Sequence, residues 1–195
     1  MAGIAQPITD LLNRLRQIPV TNSDNNAAQP YVRVWNNQAA YVAEGKMEAF
    51  PMPAFFVETV NNPTYEILGQ GYRSTDLSFR VHILHEFYDA ADGTFEQDLK
   101  VYVLRDKLVG YLTGYNLTAC GPLEGMNETM DYEHTNIYHY IVDFVCNFID
   151  SKGSKYDADN PNAYITKTPP TDIAVSTTVA QSGGQLVTTN FIVNA

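Results

Sequence analysis

The chain has 195 residues, 22 of them acidic and 12 basic, for a formal net charge of −10. That length suits one domain, with or without appendages, and suffices for a real core; 45% hydrophobic and 12% aromatic residues exclude a disordered acidic chain. The acidic excess argues against gripping nucleic acid or an anionic membrane, which takes clustered Lys and Arg, and with only 17% of residues charged much of the surface must be Asn, Thr, Ser, Gln and Tyr, as expected where subunits pack together.

Residues 1–7 lack the basic and apolar regions of a signal peptide. No run approaches the roughly 20 apolar residues of a membrane span. The two cysteines, Cys120 and Cys146, have no Cys-x-x-Cys spacing and read as small reduced core side chains in a cytoplasm-like compartment. Asn116-Leu-Thr118 and Asn127-Glu-Thr129 match the glycosylation pattern but carry no weight without a secretion signal.

Ile4, Ile8, Leu11, Leu12, Leu15 and Ile18 recur at helical spacing before Pro19, predicting a short amphipathic helix. Residues 20–29 read as a polar loop, 31–35 and 54–60 as strands, and 38–47 as either helix or strand. A long loop containing Asn62-Pro63 and Gly69-Gln-Gly71 leads to a period-two strand over 75–89, with Phe79, Val81, Ile83 and Phe87 on one face and Arg80, His82, Glu86 and Tyr88 on the other. Asp92-Gly93-Thr94 supplies a turn and an N-cap for the main helix, 95–113, whose stripe is Val101, Leu104, Leu108, Tyr111 and Leu112; Gly114 ends it. Residues 117–133 read as turns with one short strand at 117–120, and 137–149 as a strand with Tyr138, Tyr140, Val142, Phe144, Cys146 and Phe148 on one face. A linker spans 151–172, and two Thr/Val-rich runs around Ser182-Gly183-Gly184 form a hairpin that must dock on something. The expected class is α+β: a mainly antiparallel sheet packed by one long and one short helix, with a C-terminal β-hairpin arm.

Sites are sparse. Asp157-Ala-Asp159-Asn-Pro-Asn162 begins like a calcium loop but lacks the defining Gly and the final Glu. Gly69-Gln-Gly71 leads into a strand, whereas a phosphate turn needs a helix behind it. His82 and His85 point to opposite faces of one strand, as do His134 and His139 if both lie on one extended strand; they read as surface-facing histidines, with a cross-strand pair of His82 and His139 as the arrangement that could bind metal. Glu124, Glu128, Asp131 and Glu133 read as a solvated acidic loop. No nucleophile elbow, His-Glu-x-x-His or Walker sequence is present, so no catalytic residue, metal or cofactor is assigned.

The element order is a short helix, a strand, the Pro-flanked strand Met52-Pro-Ala-Phe-Phe-Val57, a long loop, a strand beginning Asp76-Leu-Ser-Phe-Arg-Val81, the helix containing Val101-Tyr-Val-Leu-Arg-Asp-Lys-Leu108, a variable loop and the aromatic strand Tyr138-His-Tyr-Ile-Val-Asp-Phe144. This layout, over residues 1–150, resembles the tail terminator, or tail-completion, proteins of long-tailed bacteriophages; 151–172 would be a linker and 173–195 an added arm. The resemblance implies a virion protein, assembled in the host cytoplasm. Its subunits would form a hexameric ring between the tail tube protein and a neck or head-completion protein, with genomic DNA passing through without sequence-specific binding and no membrane contact. Glu96, Asp98 and Asp106 on the polar face of the main helix, or the acidic loop at Glu124–Glu133 with Glu124 and Glu128, would then face the lumen, where negative charge repels phosphate, and Val175, Val179, Val187 and Phe191 would be the arm's contacts with a neighbouring subunit. The alternatives are another neck, head-closure or baseplate protein and, of a different class, a soluble metal-dependent α+β enzyme using the strand histidines.

Overall fold

A computed structural model of the chain describes residues 3–21, 26–38, 40, 50–60, 63–86, 99–131, 137–157 and 159–161, with the backbone of 172–180 and 186–194. Its centre is a pair of long antiparallel strands, β6 (Tyr72–Glu86) and β8 (Ile137–Asp150), in register from Arg73↔Asp150 to Glu86↔Ile137. β4 (Ala54–Thr59) and β5 (Glu66–Gly69) share the other edge of β6, both antiparallel to it. β3 (Tyr31–Val34) adds to β4 in parallel, and β7 (Glu124–Asp131) lies along the far side of β8 with a bulge between Gly125 and Asn127. The strand order is therefore β3-β4-β6-β8-β7. The class is α+β as expected.

One face of this sheet carries the main core. Phe55, Phe79, Phe144 and Phe148 are fully buried there, with Val57, Val81, Ile83 and Val142; burying each such aromatic contributes about 1.5–3 kcal/mol. Two helices cover it. α1 (Ala5–Leu15) presents Leu11 and Leu15, and α2 (Lys100–Leu112) presents Val101, Leu104, Leu108 and Leu112 at the expected spacing. Gly114, at φ +77°, follows the end of α2. The N-cap expected at Thr94 lies outside the described residues; the described part of α2 follows Leu99, with no side-chain cap. The opposite face has a smaller aromatic cluster of Phe50, Phe56 and Leu84 with Tyr31 and Trp35. Among the described residues no helix is long and apolar enough to cross a membrane.

Four expectations change. The strand placed at 117–120 is a turn, closed by Cys120 N–H to Leu117 O at 3.0 Å, and the strand of this region is β7. β7 hides from periodicity because it is an edge strand, exposed on both faces over most of its length. Gly69-Gln-Gly71 is the tight turn of the β5–β6 hairpin rather than open loop, and the polar segment 20–29 contains the small ladder β1 (Val20–Thr21) and β2 (Ala27–Ala28). His82 and His139, expected at the surface, are buried, because Trp35 covers them from a distant segment. His85, on the other face, is buried too. Of the segment 38–47, read as either helix or strand, residues 39 and 41–47 are outside the described set, as are Glu133 and His134.

The C-terminal runs form the expected hairpin, β9 (Asp172–Ala180) and β10 (Leu186–Asn194), in a two-stranded sheet of their own. Val175 is the register partner of Phe191, and Val179 of Val187.

Candidate functional site

The sheet face away from the helices carries a polar network drawn from four adjacent strands, its two histidines buried and its carboxylates partly exposed. Register sets it up: Glu58 on β4 lies opposite Arg80, His82 on β6 opposite Ile141, and His139 on β8 opposite both Leu84 and Asp131 of β7. His82 and His139 are thus diagonal neighbours on one face, within reach of long side chains. Glu58 Oε2 is 3.3 Å from His82 Nε2, His82 Nδ1 is 2.8 Å from His139 Nε2, and His139 Nδ1 is 2.9 Å from Asp131 Oδ2. Trp35 stacks on His82 with ring centroids 3.9 Å apart. One step along the strands, Arg80 donates to both oxygens of Asp143, at 2.9 and 3.3 Å, with Glu58 3.8 Å away.

These three contacts need three hydrogens. Two neutral imidazoles carry one N–H each, so filling all three contacts takes one further hydrogen. On His139 that proton satisfies every contact. Its two N–H groups donate to Asp131 and to His82 Nδ1, and His82 stays neutral with its own hydrogen on Nε2, aimed at Glu58. Burial, then the charges of His139 and Arg80, push the His82 pKa down to about 3, so a second proton is refused.

The expected cross-strand pair of His82 and His139 therefore forms, but as a hydrogen bond. Two imidazole nitrogens on one tetrahedral zinc would be separated by about 3.3 Å with bonds near 2.0–2.1 Å, wider than the 2.8 Å found. Among the described residues no group of three or more His, Cys, Asp or Glu side chains is arranged to hold a metal ion. What the arrangement does is tie β4, β6, β8 and β7 together beneath Trp35.

The acidic candidates separate. Asp106 is exposed on α2 and pairs with Arg105 at 2.9 Å. Glu128 grips the same Arg105 with both oxygens, one at 2.7 Å from Nε, and accepts the Tyr140 hydroxyl at 2.8 Å. The guanidinium holds the Glu128 carboxyl below its ordinary pKa. Asp106 and Glu128 thus converge on one cation, and part of their field is cancelled. Glu124 is exposed at the start of β7, beside Asp76 and Asn147. Glu96 and Asp98 lie outside the described residues. In the calcium-like segment, Lys152 Nζ sits 3.2 Å from Asp157 and 2.8 Å from Asp159, filling the place a cation would take. Asp157 Oδ2 has that ion pair without a well-directed hydrogen bond; the charge contact is what matters for a buried carboxylate.

Sequence reasoning missed Trp35, Glu58 and Arg80 as partners of the histidines. A signal existed: Arg80 and His82 alternate with Phe79, Val81 and Ile83 in a strand central to the chain, where polar residues need partners. No protein-family model and no curated protein matches the chain.

Proposed function

We propose that this chain is a structural subunit that assembles into a closed ring, of the kind that terminates the tail tube of long-tailed bacteriophages and joins it to the neck or head. The observation that carries the reading is the β9–β10 hairpin. Its strands run nine residues each and pair with one another in a separate two-stranded sheet. A lone hairpin is marginal in water, so an element of this length serves to dock on a partner surface.

Other features support the same reading. The α+β core resembles such subunits in its element order. Apolar side chains stand in solvent at the β5–β6 tip, where Ile67 is 80% and Leu68 53% exposed, and at Leu99 before α2 and Tyr102 and Val103 on it; such exposure marks contact surfaces when it is contiguous. Among the described residues, no strand pairs with the outer edge of β7. A net charge of −10 lets a ring surround DNA without binding it. Assembly in the host cytoplasm and residence in the virion follow from this role, with the tail tube protein and a neck protein as neighbours.

Negative-stain images of the purified full chain test the proposal. Closed rings with a central lumen are expected. Isolated particles of single-subunit size at every concentration would overturn it.

A further inference from the structure

The only two cysteines of the chain meet. After α2 the backbone folds onto β8: Gly121 N–H donates to Asn147 O at 2.8 Å, and Ile149 N–H to Ala119 O at 2.9 Å. Cys120 is thereby the antiparallel partner of Phe148. The pleat puts Cys146, two residues before Phe148, on that same face. The two thiols interact there, Cys146 buried in the main core and Cys120 half-buried against it.

Cys120 is partly exposed, whereas Cys146 is buried at 3% exposure. Cys120 borders one surface cleft with Tyr72 and Ile149, and Cys146 borders a second with Asp76 and Glu124; Gly121 and Asn147 line both.

We propose that Cys120 and Cys146 form a redox-active dithiol that closes to an intramolecular disulfide on reaction with a hydroperoxide. Cys146 attacks as the thiolate. Its sulfur takes the terminal peroxide oxygen, the O–O bond breaks, and the remaining oxygen leaves as hydroxide or alkoxide, giving Cys146 sulfenic acid. The Cys120 sulfur then attacks the Cys146 sulfur, the S–O bond breaks, and the departing hydroxide takes the Cys120 proton as water. Two electrons pass from the sulfur pair to the peroxide. The division of roles follows from the interaction of the two thiols. Accepting the Cys120 S–H favours the thiolate at Cys146 and lowers its pKa, while donating it, together with burial, raises that of Cys120. The disulfide would pin the turn after α2 to β8.

The test uses the wild-type full chain treated with hydrogen peroxide under native conditions. The expected result is a loss of about 2 Da in intact mass, loss of both titratable thiols after denaturation, and a Cys120–Cys146 linked peptide, all reversed by dithiothreitol. Cys120→Ser should instead trap Cys146 as a dimedone-reactive sulfenic acid, and Cys146→Ser should leave Cys120 at least tenfold slower to oxidise. Two free thiols persisting in the wild type at peroxide exposures that oxidise free cysteine would overturn the proposal, as would disulfides formed only between chains. The decisive measurement is on the wild type, so it stands whether or not a variant folds.

Discussion

His82 Nδ1 and His139 Nε2 lie 2.8 Å apart between the two central strands, and the outer nitrogen of each ring faces a carboxylate, Glu58 on one side and Asp131 on the other. Two basic rings in direct contact beneath a tryptophan make a proton-counting site. One proton completes the hydrogen bonds, and a second would place two cations side by side out of water.

The pH dependence of stability follows from that count. Unfolded, His82 protonates near pH 6.5; folded, it stays neutral down to about pH 3. Between these values the unfolded chain binds a proton that the folded chain does not. Stability from this group is therefore full above pH 6.5 and falls as the pH drops, by up to about 1.4 kcal/mol per unit. Urea unfolding of wild type and His82→Gln should show the stability difference between them shrinking by about 2 kcal/mol from pH 7 to pH 5. A difference that stays flat contradicts the neutral assignment of His82.

Leu108 and Val103 test the orientation of α2. Leu108 is fully buried against the sheet, whereas Val103 is 51% exposed. Leu108→Ala should cost about 2–5 kcal/mol, and Val103→Ala should stay within about 0.5 kcal/mol. Denaturant midpoints at constant slope give both values, and equal losses would mean that the helix is turned differently.

Gly71 and Gly69 flank the same hairpin turn and should respond differently. Both have positive φ, +84° and +97°. A Cβ on Gly71 would stand 2.0 Å from the backbone oxygen of Gly153, while one on Gly69 would meet nothing within 4 Å. Gly69→Ala incurs only backbone strain, about 1–2 kcal/mol. Gly71→Ala adds a clash with main chain that cannot rotate away, so its loss in thermal melts should clearly exceed that of Gly69→Ala. Equal losses would show that the turn does not pack on the segment after β8.

Much of this architecture could be read from residue order, and the reason is burial. α1, β4, β6, α2 and β8 each bury a stripe, and a stripe leaves a period in the sequence. β7 has no stripe because its neighbour lies on one side only, and β5 is exposed throughout its four residues. The parity of His82 and His85 was readable within their strand. Their burial was not, since it depends on Trp35 and on a register that offsets His82 from His139 by two positions. The meeting of Cys120 and Cys146 is hidden for the same reason: it follows from how a turn lands on β8. Charge is legible in the sequence as a sum but not by placement, since only the packing of α2 on β7 sets Arg105 beside Glu128.

The ring is the central claim, and light scattering of the full chain coupled to size-exclusion chromatography tests it most directly. The account predicts a discrete species several times the 21.8 kDa chain mass, about sixfold for a hexamer, populated increasingly as concentration rises. A mass of one chain at every concentration would contradict it.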